Sequence, residues 1–506
     1  MTRDPIHTAA AYHRLTGYRR DALTPHALDW GHQPRLDKRY PKLEQIPLPT
    51  PPVLPQTDYF DLVHRASKPL SSPLTALDQN TLATLLHLTH AITAQSRHGN
   101  QAFYFRSVAS AGALYPFEMY LAVHDIQGLA PGIYHVDVFR FGLTRLRAGD
   151  VPVMPPVGQG VAGTLYITGI FFRSAWKYRN RAYRYVLLDA GHLLENLRLA
   201  AHAVGVDLSV HLDFDDDRIA TLLGVDAAEE VCLIGAHLNA GKAVSPDAAE
   251  LPQGDLPPLP EAVRHASRVS DKVIAYDAVL DIHRAGHVAT GVTADGPHPS
   301  PDLGWRPRNW QSLPTAPAGR HTDYVQVIGQ RRSGRNFIPQ AIGEADLAGF
   351  LHLIANAATA DPPGGPQGVP GVGVVVGEGL SVAPGVYQLD SHGRRLGQVA
   401  AGNRLDAMAR ACLDQMWLRN AALHIGFLAD PEALDRAWGA RGYRYAMMAA
   451  GRLGQQVYLA ATAMGWGACG IGAFYDREAA GRLALADGVA LLYLVGVGPI
   501  KGGAPT

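Results

Sequence analysis

Cysteine is scarce in this chain of 506 residues. The three cysteines, Cys232, Cys412 and Cys469, lie far apart in the sequence and form no Cys-x-x-Cys pair. This spacing excludes a zinc-ribbon site and a disulfide framework, and it is typical of proteins in a reducing compartment. We therefore expect a cytoplasmic protein without a metal site.

The chain also lacks an excess of charge of either sign and lacks long apolar runs. Its 45 Lys and Arg residues balance 45 Asp and Glu residues, which argues against nonspecific binding to nucleic acid. No stretch approaches the ~18 uninterrupted apolar residues of a membrane-spanning helix. Hydrophobic residues make up 47% of the chain, so we expect a globular protein with a large core and neither a nucleic-acid nor a membrane partner.

What the sequence does contain is one long repeat. Arg181-Ala-Tyr-Arg-Tyr185 returns as Arg441-Gly-Tyr-Arg-Tyr445, and the same interval separates Phe214 from Phe474, each of which opens an acidic turn. Solenoid units repeat every ~20–50 residues, so this far longer period indicates a duplicated domain. Such copies often pair within one chain as the subunits of an ancestral dimer did.

Helices and short strands follow one another in the same order in both copies, which predicts an α+β fold. Apolar residues at helical spacing predict helices over Gln79–Ala94, Tyr183–Val204 and Arg444–Met464, and Phe117–Val123 has the composition of a strand. We predict four segments: an N-terminal lead-in over 1–60, a first domain over 61–240, a Pro-rich linker with the lead-in of the second copy over 241–320, and a second domain over 321–506.

The first difference between the copies is a basic segment in the second half. Arg331, Arg332 and Arg335 surround Ser333, whereas the aligned first-half residues around His64–Lys68 lack this cluster. Arginine forks bind phosphates and other polyanions in a bidentate way, which makes the segment a candidate phosphate site. The alternative is a solvated basic turn.

The second difference is a run of small residues in the first half. Ser110, Ala111, Gly112 and Ala113 precede Leu114, and the second half has only a Pro- and Gly-rich loop in their place. Small residues let backbone amides approach a flat ligand closely. The alternative is a purely structural turn.

The third difference is a Lys-Tyr pair before the repeated helix. Lys177 and Tyr178 align with Ala437 and Trp438 of the second half. Together they offer an acid/base pair if burial lowers the pKa of the lysine. The alternative is a surface lysine beside a packed tyrosine.

Together these motifs resemble the SagB-type dehydrogenases of the nitroreductase superfamily. The resemblance rests on Ser110–Pro116, Gly128–His135, Trp176–Tyr185 and Asp189–His192 in the first half, and on Arg331–Arg335 and Cys469–Phe474 in the second. It implies a nitroreductase-like α+β fold whose two tandem domains form an intrachain pseudo-dimer that binds FMN. It also implies that Lys177 and Tyr178 are catalytic.

In that family the basic segment and a late glycine loop come from one subunit, and the small-residue loop comes from the other. The resemblance therefore implies one composite FMN site. The symmetry-related site is expected to be degraded, because it has His64–Lys68 in place of the basic segment and residues 361–370 in place of the small-residue loop. The implied cofactor-binding residues are Arg331, Arg332, Ser333, Arg335, Gly470, Ile471 and Gly472 of the second half, and Ser110, Ala111, Gly112, Ala113 and Leu114 of the first. Lys501 is a further candidate phosphate contact.

The expected function is that of an FMN-dependent dehydrogenase or oxidase. It would oxidise an azoline, or a related peptide or acyl-amino heterocycle, to an aromatic azole in natural-product biosynthesis, with O₂ as electron acceptor. Lys177 or Tyr178 would remove an acidic Cα proton while the flavin takes a hydride. The substrate is a small molecule or a peptide, free or bound to a carrier or enzyme, and the chain is expected to be a monomer, with further oligomerisation open.

Two alternatives remain. The first is a reductase of nitro compounds or quinones that uses NAD(P)H to reduce its flavin, and such an enzyme has no need of the Lys-Tyr pair. The second is a flavin-free scaffold that presents a peptide to partner enzymes. A scaffold has no need of both the arginine segment and the small-residue loop.

Overall fold

Two long buried helices form the centre of the molecule. In the computed structural model, Ala182–Val204 and Arg441–Ala463 are helices of 23 residues each, buried over nearly their whole length. The structure describes residues 4–40, 42–50, 52–98, 101–154, 160–240, 257–288, 302–314, 320–360 and 370–502. None of the helices in these ranges is long and apolar enough to cross a membrane.

The first half packs helices against one antiparallel sheet. Its helices are α1 (Ala9–Leu15), α2 (Tyr59–Arg65), α3 (Gln79–Thr89), α4 (Phe171–Tyr178), α5 (Ala182–Val204) and α6 (Asp216–Leu223). Its strands are β1 (Gln45–Pro47), β2 (Leu77–Asp78), β3 (Ile92–His98), β4 (Gln101–Arg106), β5 (Phe117–Val123), β6 (Ile126–Gln127), β7 (Gly132–Asp137), β8 (Gly142–Ala148), β9 (Val161–Ile170), β10 (Asp207–His211) and β11 (Glu230–Asn239).

The second half repeats this plan after two connecting helices, α7 (Glu261–Arg264) and α8 (Asp277–Ala285). Its own helices are α9 (Tyr324–Gln330), α10 (Glu344–Thr359), α11 (Leu405–Ala411), α12 (Pro431–Trp438), α13 (Arg441–Ala463) and α14 (Asp476–Arg482). Its strands are β12 (Arg308–Ser312), β13 (Gly371–Val376), β14 (Gly385–Asp390), β15 (Arg395–Ala401), β16 (Leu423–Ala429), β17 (Gly467–Ile471) and β18 (Ala490–Gly498).

The main sheets of the two halves have the same topology. Within the described residues each contains seven strands, in the order β1-β8-β7-β5-β9-β11-β10 in the first half and β12-β15-β14-β13-β16-β18-β17 in the second. All neighbouring strands in both sheets are antiparallel. The prediction of an α+β fold in two tandem domains is confirmed.

The two central helices, α5 and α13, meet at a pair of glycines. A Cβ atom on Gly191 would lie 2.0 Å from the carbonyl oxygen of Met448, and one on Gly451 would lie 2.1 Å from that of Leu188. Side chains cannot fit at such distances, so this crossing requires glycine on both helices. The two contacts are reciprocal, which places a pseudo-twofold axis between the helices.

Ion pairs that cross between the halves flank this axis. Asp476, at the start of α14, accepts hydrogen bonds from Arg181 (2.9 Å) and Arg184 (2.7 Å) at the start of α5. The mirror-related cluster joins Asp216 of α6 to Arg441 and Arg444 of α13. The repeated arginines and the repeated acidic turns of the sequence therefore join the two halves.

The lead-in segments of both copies sit on these clusters. The carbonyl of His13 in α1 accepts a hydrogen bond of 2.6 Å from Arg184, and that of His283 in α8 accepts one of 2.8 Å from Arg444. Further along the first lead-in, the buried Lys38 donates a hydrogen bond of 2.5 Å to Glu230 of β11. These segments are therefore integral parts of the packed molecule.

One predicted helix is too long. The helix predicted over Gln79–Ala94 ends at Thr89, because Ile92–His98 pairs with Gln101–Arg106 in an antiparallel hairpin. The helices predicted over Tyr183–Val204 and Arg444–Met464 begin slightly earlier, at Ala182 and Arg441. The strand predicted over Phe117–Val123 has those bounds in the structure.

Candidate active site

A cleft with an empty volume of about 740 Å³ lies between the halves beside the crossing of α5 and α13. The first half lines it with the loop Ser110–Gly112, with Tyr178 at the end of α4, and with one face of α5. The second half lines it with Ser333, Arg335 and the end of β17. The small-residue loop, the Lys-Tyr pair through Tyr178, the basic segment and the late glycine loop therefore all meet at one place.

The small-residue loop is held by a buried carboxylate. The Ser110 hydroxyl donates to one oxygen of Asp189 (2.5 Å), and the Ala111 amide donates to the other (3.3 Å). The Ser110 hydroxyl oxygen in turn accepts a hydrogen bond of 2.8 Å from the amide of Tyr115. Burial raises the pKa of the Asp189 carboxyl to about 7, although these hydrogen bonds oppose the rise.

The side chains packed against this loop require a glycine at its centre. Gly112 has a φ of +66°, and a Cβ atom there would lie 2.9 Å from the Tyr178 hydroxyl and 3.2 Å from Lys177 Nζ. The Lys-Tyr pair therefore packs directly on the loop. Ala113 is exposed and Leu114 is buried beside Phe172, so neither side chain lines the cleft.

Burial shifts the pKa values of the Lys-Tyr pair in opposite directions. The ring centres of Tyr178 and Tyr185 lie 4.1 Å apart, and burial raises the pKa of the Tyr178 hydroxyl well above the ordinary value. Lys177 is half-buried, and desolvation followed by the charge of Arg335 lowers the pKa of its amine. Of the two groups, Lys177 is the one whose pKa is shifted toward the neutral, proton-accepting form.

The opposite wall of the cleft is the basic segment. The backbone of Ser333 forms a single β-bridge with Ala468 of β17, and the Ser333 hydroxyl lies 3.1 Å from the hydroxyl of Tyr458. The Arg335 guanidinium lies 5.6 Å from the centre of the Trp417 ring. Ser333 and Arg335 thus present a hydroxyl and a cation to the cleft. Lys177 is outside the cleft lining, although the charge of Arg335 is close enough to lower the pKa of its amine.

The other predicted cations lie elsewhere. Arg331 lies beneath the cleft and donates two hydrogen bonds of 2.9 Å to the carbonyls of Arg106 and Ser107. Arg332 extends to the β3–β4 hairpin and donates a hydrogen bond of 3.0 Å to the Thr93 hydroxyl. Lys501 is exposed and outside the cleft lining, and its backbone is paired with Asn336.

Two glycines, one in β17 and one directly after it, are required by tyrosines packed against them. A Cβ atom on Gly470 would lie 1.8 Å from the hydroxyl oxygen of Tyr493, and one on Gly472 would lie 2.5 Å from the Tyr185 ring. The Gly470 amide donates a hydrogen bond of 2.6 Å to the Tyr458 hydroxyl. Gly470, Ile471 and Gly472 all line the cleft.

The comparison with protein-family models decides the family. The model of the nitroreductase family matches residues 74–241 and 328–499, once in each half and over more than half of the chain. The chain belongs to the nitroreductase family. The predicted family and its tandem duplication are thereby confirmed, and membership implies an oxidoreductase. Nitroreductases generally bind FMN.

Two related proteins and one solved structure are similar to different shares of this chain. A Methanocaldococcus jannaschii protein named as a nitroreductase is 30% identical over 178 residues, which cover 34% of this chain and 88% of that protein. The trifolitoxin-processing protein TfxB of Rhizobium leguminosarum bv. trifolii is 32% identical over 133 residues, 24% of this chain and 36% of that protein. The crystal structure of a nitroreductase from Anabaena variabilis matches 98% of this chain and 100% of its own, with a TM-score of 0.77 and 22% identity.

Several residues that line this cleft were not predicted as site residues from the sequence. Asp189, His192, Tyr458 and Tyr493 all lie at the cleft. A signal for three of them was present in the repeat, since Asp189, His192 and Tyr458 align with Ala449, Arg452 and Arg198 of the other half. Tyr493 lies on β18, and the packing of that strand on α13 brings it to the cleft.

Proposed function

We propose that this chain is an FMN-dependent dehydrogenase of the SagB type, with one composite active site at the cleft between its halves. The observation behind the proposal is that Tyr178 lines the same cleft as Ser333 and Arg335, while Lys177 packs beside Tyr178 on Gly112, near the charge of Arg335. A base from one half and two phosphate-binding residues from the other would thus act on a flavin and a substrate bound in the same cleft.

The residues of the cleft fit FMN. Arg335 and Ser333 would hold the phosphate through charge-assisted hydrogen bonds. Arg331 also has a buried Nη1 atom without a hydrogen-bond partner in the described residues, but this arginine lies beneath the cleft and outside its lining. Gly470 and the Ser110–Gly112 loop supply the small residues that a flat ring system needs.

The chain's own residues would handle the proton of the reaction. When bound, FMN supplies a hydride acceptor, and O₂ would take the two electrons from it. Lys177, whose pKa is lowered, would accept the proton that leaves the carbon next to the heterocycle nitrogen. The substrate thus loses one proton to Lys177 and one hydride, which converts an azoline ring into an azole.

The substrate class rests on the family branch. The trifolitoxin-processing protein is related to this chain, and the Lys-Tyr motif is the feature by which the sequence resembles SagB-type dehydrogenases. We therefore propose a peptide or acyl-amino azoline as substrate, free or attached to a carrier or partner enzyme.

Substitution of Lys177 tests this function. Because a base contributes typically about 10²–10⁴-fold, Lys177→Ala should keep the bound flavin while azoline oxidation falls at least about a hundredfold. Lys177→Arg should not restore the rate, since an arginine stays protonated. Ala437→Ser, at the mirror-related position, is the matched control and should leave the rate unchanged.

A parallel assay with NAD(P)H and an artificial acceptor separates the alternatives. If Lys177→Ala reduces the acceptor normally but fails with azolines, the dehydrogenase proposal is supported. If both rates are unaffected, Lys177 is a surface lysine, and a flavin reductase is the better description. If the wild-type chain binds no flavin, a peptide-binding scaffold replaces both.

A further inference from the structure

A chain of buried hydrogen bonds connects the centre of the molecule to the floor of the cleft. It begins at the carbonyl oxygen of Thr89, which accepts from the side-chain amide of Asn196 (3.1 Å). Asn196 Oδ1 then accepts from Gln455 Nε2 (2.9 Å). Because a carbonyl oxygen can only accept, this first bond fixes which end of the Asn196 amide is the donor.

The orientation of the next side-chain amide, that of Gln455, is fixed by a separate contact. Gln455 Nε2 also donates to the carbonyl oxygen of Ser107 (3.2 Å), so both of its hydrogens are used. Gln455 Oε1 therefore faces the remaining neighbours, His192 Nδ1 at 2.8 Å and the Ala109 amide at 3.5 Å. The Ala109 amide is a donor, which agrees with an oxygen at this position.

The tautomer of His192 follows from its contact with Gln455. Nδ1 must carry the proton that is donated to Gln455 Oε1. His192 is buried, and desolvation lowers the pKa of its ring to about 4, so the ring is neutral and Nε2 carries no proton. Nε2 therefore accepts the hydrogen bond of 3.1 Å from the Tyr493 hydroxyl.

The consequence for the cleft is that Tyr493 cannot act there as a donor while this chain is intact. Its single O–H is directed at His192, which leaves the lone pairs of its oxygen for a ligand. An acceptor at the floor of the cleft selects ligands that present an N–H or O–H donor. The oxidised flavin ring system has one such group, the N3–H of its pyrimidine ring.

We propose that the Tyr493 oxygen accepts a hydrogen bond from N3–H of the flavin ring, and that Asn196, Gln455 and His192 are positioning residues that fix its polarity. This inference rests on the proposed function, because it takes FMN as the ligand. It assigns a specificity-determining residue to the cleft in addition to the predicted phosphate-binding residues.

The test compares FMN with N3-methyl-FMN, which lacks the donor. Each flavin is titrated into the flavin-stripped full chain, and binding is followed by flavin fluorescence for the wild type and for Tyr493→Phe. Loss of one hydrogen bond should reduce the preference for FMN over its methyl analogue by about 3–10-fold in Tyr493→Phe. Tyr166→Phe, which removes a buried hydroxyl bonded to the Met154 carbonyl in the first-half sheet, is the control and should keep the wild-type preference.

The second measurement is direct. With ¹⁵N-labelled FMN, the N3–H proton of the wild-type complex should resonate downfield and exchange slowly, and both properties should be lost in Tyr493→Phe. The inference is overturned if Tyr493→Phe weakens both flavins equally or leaves the N3–H resonance unchanged. Failure of the wild-type chain to bind FMN would instead contradict the proposed function, so the two outcomes are distinguishable.

Discussion

Replacement of Asp189 by asparagine should stabilise the protein at neutral and alkaline pH. Asp189 is 3% exposed, and within the described residues its carboxylate accepts hydrogen bonds from one hydroxyl and one backbone amide but pairs with no cation. Burial raises the pKa of this carboxyl from 3.8 to about 7. A raised pKa of an acid means that its ionised form is disfavoured in the folded state.

The sign and size of the effect follow from proton linkage. Because the folded-state pKa lies above the unfolded value, the stability contributed by Asp189 is complete below about pH 4 and is lost as the pH rises to about 7. The total loss is on the order of 4 kcal/mol at one pKa unit per ~1.4 kcal/mol. Asparagine carries no charge, so Asp189→Asn has no such pH-dependent loss of stability. It does lose about 1 kcal/mol of stability, because its NH₂ group cannot accept the hydrogen bond from the Ala111 amide.

Urea unfolding of the flavin-stripped chain at pH 5 and pH 8 measures the difference without a contribution from bound ligand. The stability of Asp189→Asn relative to wild type should increase by about 2–3 kcal/mol between the two pH values. Asp61→Asn, an exposed position in α2, should show no such increase. A penalty for Asp189→Asn that is equal at both pH values would refute the reasoning, since it would mean that Asp189 is a structural acceptor without a desolvation cost.

Three further predictions concern the cofactor and the junction of the halves. Arg335→Ala should weaken FMN binding by roughly 10–100-fold, the value of a charge-assisted hydrogen bond, whereas Arg65→Ala in the other half should leave the flavin content unaltered. Heat release of the cofactor from the wild type should give one FMN per chain, and a ratio near two would contradict a single site. Asp476→Asn should lower the free energy of urea unfolding by about 3–5 kcal/mol, because the buried charges of Arg181 and Arg184 would lose their carboxylate partner. An unchanged midpoint of urea unfolding would contradict a role for this cluster in joining the halves.

Much of the fold could be predicted from the sequence because it is encoded locally and stated twice. The helix Ala182–Val204 and the strand Phe117–Val123 have continuous patterns of one period, and their bounds were predicted almost to the residue. The hairpin after Thr89 was not, since Ile92 and Ala94 extend the apolar pattern of α3 past its end. Only the pairing with Gln101–Arg106 decides between helix and strand there.

The candidate site could be predicted in outline but not in detail. The sequence places cations in one segment, but it does not show where each side chain points. Arg331 and Arg332 are recruited by carbonyl and hydroxyl groups of the first half, which are distant in sequence, while Ser333 and Arg335 remain directed at the cleft. The acceptor Tyr493 depends on His192, which reaches it only because α5 packs on α13.

The prediction of one FMN per chain has a physical basis at the position related to the cleft by the pseudo-twofold axis. The residues aligned with His192, Gln455 and Tyr458 are Arg452, Glu195 and Arg198. Glu195 is fully buried and pairs with Arg198 at 2.7 Å and with Arg452 at 3.4 Å, and these arginines also donate to the carbonyls of Ala66 and Ala357.

These charges occupy the position that corresponds to the floor of the cleft, where the cleft itself has a neutral set of hydrogen bonds. To admit a second flavin, the cluster would have to separate, and breaking a buried ion pair of this kind costs about 3–5 kcal/mol. That side has Ala437 and Ala449 in place of Lys177 and Asp189, so it lacks both the proposed proton acceptor and the carboxylate that holds the loop. A chain that bound two flavins with equal affinity would therefore show that the Arg198–Glu195–Arg452 cluster does not block the second position, and the asymmetry of the pseudo-dimer would need another cause.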